Sequence, residues 1–153
     1  MRRAAAVLLV AGVALAACGS PYPGKTIGEQ VRSWATTTGL SASLGALRGD
    51  ARRIVMVQAR HDPAALRTDC DVLVNDALAA NQNLPAPDDQ LSAVLTAAYA
   101  AAAAAGRDCS KAAAGDGAVL GRATSELTQA AAGYVKAEAR LDALGATGPG
   151  GSS

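Results

Sequence analysis

Few side chains in this sequence react at neutral pH. There are three cysteines, Cys18, Cys70 and Cys109, one histidine, His61, and a run of acids at Asp69, Asp71 and Asp76. A cysteine can be acylated, oxidised to a disulfide or bound to a metal. His61 lies in "ARHDP", where Asp62 beside it could make the imidazole a general base. Asp62 and Pro63 are equally an N-cap followed by proline at the first helical position, which accounts for both residues without chemistry. Asp69, Asp71 and Asp76 could hold a cation. With Arg67 nearby and no second cluster at ligand spacing, a solvated helix face accounts for them better. A zinc site is short of ligands, because there is one histidine and no C-x-x-C. Glu29, Glu126 and Glu138 are the three glutamates, and none belongs to the Glu-x-x-His pattern of di-metal bundles. The glycines suit helix ends, not a phosphate loop, and no G-x-S-x-G elbow occurs. The chain is therefore expected to be no enzyme, with no metal and no cofactor.

The elements around these residues begin with a leader. Arg2 and Arg3 precede an uncharged apolar run of 14 residues, 4 to 17. A bilayer span needs about 20 residues, so the run fits the apolar region of a secretory signal peptide over residues 1 to 17. The arginine pair lacks the longer twin-arginine motif. Ala14-Leu15-Ala16 offers an ordinary cleavage site after Ala16. Leu15-Ala16-Ala17-Cys18 resembles the lipobox of bacterial lipoproteins. That resemblance implies diacylglycerol on the Cys18 sulfur, cleavage just before Cys18 and further acylation, palmitate being a typical acyl group. Two or three acyl chains hold a protein stably to a membrane where one does not. Residues 18 to 25, with Pro21 and Pro23, then form a polar tether. The expected location is the extracytoplasmic face of the cell membrane, reached through lipid on Cys18.

Lipidation of Cys18 leaves Cys70 and Cys109 as an even pair. Outside the membrane a disulfide between them can persist, and two buried free thiols are the alternative. Without Arg2 and Arg3 the chain holds 12 basic and 13 acidic residues. That balance gives no electrostatic case for nucleic acid or an anionic surface. Alanine occurs 39 times, phenylalanine never, and arginine outnumbers lysine 11 to 3, a bias that suggests a GC-rich genome.

The rest reads as helices. Thr26-Ile27-Gly28-Glu29 is a capping-box pattern opening a helix over residues 26 to 38, with Ile27, Val31 and Trp34 on one face. Ser41 or Ser43 is expected to cap a second helix that runs to about Arg60, with Leu44, Leu47, Ala51 and Ile54 inward. A third runs from Asp62-Pro63 to about Gln82. "NLPAPDD" is a turn, and a fourth helix follows it to about Ala105, stopping at Gly106. The last covers about 117 to 144. In the third helix Leu66, Cys70, Leu73, Ala77 and Ala80 step by four and three. Leu91, Leu95, Ala98, Ala102 and Ala105 do so in the fourth, and Ala123, Leu127, Ala130, Tyr134, Ala137 and Leu141 in the last.

The expected fold is all-α: an antiparallel up-down-up-down four-helix bundle over residues 26 to 144 with a short extra N-terminal helix, and a disordered tail over 145 to 153. "TAAYAAAAAAG" is too short and too weakly apolar for a membrane span and reads as a packed helix. Tyr99 and Tyr134 suit a core or the rim of a groove. One tension stands: a helix ending at Gly106 leaves Cys109 beyond it, so the disulfide requires an offset helix or a chain that folds back.

The lipobox at Cys18, "LRTDCDVLVNDALAANQNLPAPDDQL" and "AYAAAAAAGRDC" together resemble the small, alanine-rich, helical lipoproteins of high-GC Gram-positive bacteria. The resemblance covers roughly residues 40 to 144. It implies location and fold and brings no activity with it. The functional expectation is a lipid-anchored binding or interaction module of the cell envelope, its partner an envelope protein met by the "NLPAPDD" turn or a helix face. The alternative is a carrier of a small apolar ligand held between the helices.

Overall fold

A computed structural model describes residues 24 to 113 and 115 to 147. The signal peptide expected at 1 to 17, Cys18 with most of the tether, and the tail from 148 onward lie outside the described residues. The chain is all-α. Its five helices are α1 (Ile27–Thr38), α2 (Leu40–Ala59), α3 (Pro63–Asn81), α4 (Asp89–Ala112) and α5 (Gly117–Ala143), with no strand among the described residues.

The helix starts follow from local chemistry, with one exception. At α1 the Thr26 hydroxyl accepts the Glu29 N–H at 3.3 Å while Glu29 Oε2 accepts the Thr26 N–H at 2.8 Å, a complete capping box. Asp62 Oδ1 accepts the N–H groups of Ala64 and Ala65 at 3.1 and 3.0 Å, and Asp88 Oδ1 accepts that of Leu91 at 2.8 Å. Neither Ser41 nor Ser43 caps α2. Gly39, at a left-handed φ of 64°, ends α1 and serves at once as the N-cap of α2, so both serines fall inside the helix. Gly145 closes α5 in the same way at φ 61°. Its N–H bonds to the Asp142 carbonyl and that of Ala146 to Leu141, a Schellman motif with Leu141 and Ala146 both buried. The chain from 145 to 147, expected to open a disordered tail, is thereby folded onto the helix end.

Gly106 does not stop α4, which runs on to Ala112. A Cβ there would lie 2.6 Å from Val74 Cγ2 and 2.7 Å from the Cys70 carbonyl oxygen. The glycine is a point of close helix approach. The packing it permits outweighs the roughly 1 kcal/mol that glycine costs inside a helix. Continuing α4 also removes the tension over Cys109. The residue sits on α4 opposite Cys70, and the two are disulfide-bonded with Cα atoms 5.8 Å apart. Gly133 of α5 plays the same part toward Ala98 of α4, where an added Cβ would come within 2.6 Å of the alanine methyl.

Between Ala98 and Gly106 α4 is buried nearly all round, Ala100 being exposed and Ala104 half-buried, which its small alanine side chains allow. It packs most extensively on α5 and next on α3, while α2 lies mainly on α3 and touches α5 little. The expected seam residues of α3 and α4 are all buried. In α5, Ala123, Ala130, Tyr134, Ala137 and Leu141 are buried and Leu127 is half-buried. α1 differs from expectation: Ile27 is exposed, and Gly28 is buried in its place. A Cβ at Gly28 would lie 2.1 Å from the Leu144 carbonyl oxygen, so α1 rests edge-on against the end of α5. Arg32 Nη2 donates to the Gly145 carbonyl, and the buried Trp34 donates from Nε1 to the Asn83 carbonyl at 3.1 Å. α1 thus covers the end of the molecule formed by the α3–α4 turn and the α5 terminus.

Candidate functional site

The loose side of this assembly is the seam between α2 and α5. Only one ion pair spans it among the described residues, Arg48 Nη1 to Glu138 Oε1 at 2.7 Å, and the Arg48 guanidinium also stands 6.0 Å from the ring centroid of Tyr134. On either side of this bridge the helices part. Toward the α1 end lies a groove of about 880 Å³ between α1, α2 and the end of α5, with Leu40, Leu44 and Leu141 along it and Arg32, Glu138 and Asp142 among its charges. On the other side of the bridge is a smaller cleft of about 290 Å³, whose walls include Leu47, Leu73, Ala102, Leu127 and Ala130.

Why the seam stays open is visible in the sequence of α2. Gly45 lines the larger groove, and nothing stands within 4 Å of a Cβ added there. α2 also buries an acid. Asp50 occupies a core position, 1% exposed, between Leu47 and Ile54 on the inward face. One oxygen accepts a short hydrogen bond from Arg53 Nη2. The other, Oδ2, has no hydrogen-bond partner among the described residues, and the Asp76 carboxyl of α3 lies beside the group. Burial raises the Asp50 carboxyl above its ordinary range. The hydrogen bond and the charge of Asp76 push the same way, and Arg53 opposes them.

Tyr134 on α5 and Tyr99 on α4 are both buried, with ring centroids 6.4 Å apart. Burial pushes the Tyr99 phenol up to about 12, and raises that of Tyr134 too, aided by the neighbouring Tyr99. The Tyr134 hydroxyl has no hydrogen-bond partner among the described residues. Asp88, the other buried acid, is fully engaged. Arg140 donates to both of its oxygens, at 3.0 and 2.6 Å, and Leu91 adds a backbone N–H. The Arg140 bonds hold its carboxyl below the usual range.

The residues marked in the sequence for chemistry do not converge. His61 is an exposed turn residue at φ 58°, its Nδ1 3.2 Å from the Ala59 carbonyl oxygen, with Asp62 turned to its cap. The three acids of α3 disperse. Asp69 approaches Arg53 at 3.7 Å, Asp71 accepts from the Ser110 hydroxyl at 2.6 Å, and Asp76 faces Asp50. No group of three or more histidine, cysteine, aspartate or glutamate side chains able to hold a metal occurs among the described residues. No described helix is long and apolar enough to cross a membrane. The "NLPAPDD" turn is pinned inward through Trp34, Arg140 and the buried Ala86. Asp50 escaped the sequence reading although a signal was there. It falls three residues after Leu47 and four before Ile54, on the helical step that marks the core.

Scans of protein-family models, of curated protein sequences and of solved structures find no match to this chain.

Proposed function

We propose that this chain is a lipid-anchored binding module of the cell envelope, held to the extracytoplasmic face of the membrane through acyl groups on Cys18 and acting without catalysis. The observation that carries the binding role is the open α2–α5 seam, in a molecule whose other helix contacts are close. The lipobox Leu15-Ala16-Ala17-Cys18 and the Cys70–Cys109 bond, a pairing at home outside the cytoplasm, support the location. The proposed topology is an up-down-up-down antiparallel bundle of α2 to α5 with α1 laid over one end. The pairings of 70 with 109 and 74 with 106, and those of 98 with 133 and 88 with 140, favour it, since in both sets the later residue of one helix meets the earlier residue of the other. The apolar walls of the smaller cleft favour a second reading, a carrier of a small apolar ligand.

The first experiment is the intact mass of the protein extracted from its own membranes. The expected value is that of residues 18 to 153 plus acyl groups, less two hydrogens for the disulfide. An unacylated chain beginning at Ala17 rejects the anchor. The second is photo-crosslinking in living cells from position 135, where Val135 is exposed beside the seam. One recurrent protein or lipid adduct is expected, and none at all rejects the binding role.

A further inference from the structure

The smaller cleft carries a chemical signature beyond its apolar walls. Its charged lining consists of Arg48 and Arg52, one turn apart on α2, with no carboxylate among the residues that line it. Glu138 neutralises Arg48. Arg52 is exposed and has no hydrogen bond or ion pair among the described residues, so a full positive charge stands at the rim. Tyr134 also lines the cleft, and its buried hydroxyl lacks a partner. From Leu127 to Val135 the apolar wall runs about 12 Å along α5 at the helical rise, which suits a medium-length alkyl chain. At the mouth, Ala51, Ala131 and the exposed Val135 present small apolar surface that a chain can slide past.

We infer that this cleft binds a single-chain amphipathic anion, an alkyl carboxylate, with its chain between α2 and α5 and its head on the Arg52 guanidinium. The charge pattern decides against a cationic or neutral head. A guanidinium matches a carboxylate with two parallel N–H donors, whereas an alcohol gains little from it. An opening of 290 Å³ with one unpaired cation at its edge admits one such chain, and a phospholipid with two chains exceeds it. The inference rests on the binding role proposed above and names the ligand class of the same seam.

The test uses the full-length chain in isolated membranes and a decanoate carrying a diazirine on its alkyl chain. Irradiation is expected to label residues of the cleft, and free decanoate is expected to compete at least about fivefold better than decanol. Arg52→Gln, a change at an exposed position, should abolish that preference while leaving some labelling. Ala131→Trp, also exposed, should block the cleft and remove the label. Equal competition by decanol and decanoate overturns the anion assignment and leaves an apolar binding site standing. An unlabelled cleft overturns both. If that unlabelled chain is a crosslinkable dimer through α2 and α5, the seam belongs to a second copy instead.

Discussion

The α3–α4–α5 side and the α2 side of this molecule are built from much the same residues and behave as opposites. On the first, glycine sits where another helix touches it: Gly106 under Cys70 and Val74, Gly133 under Ala98. On the second, Gly45 faces open space. The first buries an acid, Asp88, with two guanidinium bonds and a backbone donor. The second buries an acid, Asp50, against another carboxyl, with one oxygen unpartnered. A disulfide clips the first, and one ion pair spans the α2–α5 seam of the second. A small side chain is thus neither tight nor loose by nature. It stabilises where a neighbour closes on it and leaves a cleft where none does.

The contrast can be broken at several points, and the largest effect is expected at the clip. Replacing Cys70 and Cys109 together by alanine should lower stability by about 4 kcal/mol, the chain entropy of a loop of 39 residues. Denaturant unfolding with and without reductant measures it. A loss below about 1 kcal/mol would mean that the alanine seams hold α3 to α4 unaided. Gly106→Val should come next, at about 3 kcal/mol, because its Cβ meets backbone as well as a side chain. On the open side Gly45→Ala should do the reverse and add roughly 0.5 kcal/mol. If both glycine changes destabilise alike, the two sides do not differ as described.

The buried acids sharpen the comparison through pH. Asp88→Ala removes an N-cap and leaves Arg140 unpaired, a loss of about 2 kcal/mol at neutral pH. The folded carboxyl of Asp88 lies below its unfolded value of about 3.9, so its contribution is present above that pH and lost as pH falls below it. Asp50 has the opposite sign. Its folded carboxyl is raised, so its contribution is full below about pH 3.9 and disappears as pH rises through the folded value. Asp50→Asn should therefore gain on the natural chain between acid and neutral pH, ending about 1 kcal/mol more stable near pH 7. Thermal unfolding across that range reads both, and an Asp50→Asn advantage that shrinks with rising pH would show that Arg53 dominates the site.

Much of the fold was legible in the sequence because its signals are local. The Thr26–Glu29 box and the Asp62-Pro63 start each satisfy backbone groups within four residues. The four-and-three steps of Leu66 to Ala80 and Leu91 to Cys109 express only the pitch of a helix with one wet face. The pairing of Cys70 with Cys109 followed from an even count once Cys18 was set aside. Gly106 misled because a glycine that ends a helix and one that admits a neighbour look alike in one dimension. Ile27 misled because the end of α5, more than a hundred residues away in sequence, chose Gly28 for contact.

What the sequence by itself determined is the helices, their inward faces and the residues available for the clip. All of these depend on neighbours a turn or so away. Only the tertiary structure decided that α4 passes through Gly106, that α1 covers one end, that Asp50 meets Asp76 and that α2 stands off from α5. Each of these is a contact, or a missing contact, between segments distant in the chain. Its free energy depends on shapes on both sides at once, and one-dimensional spacing records only one side at a time.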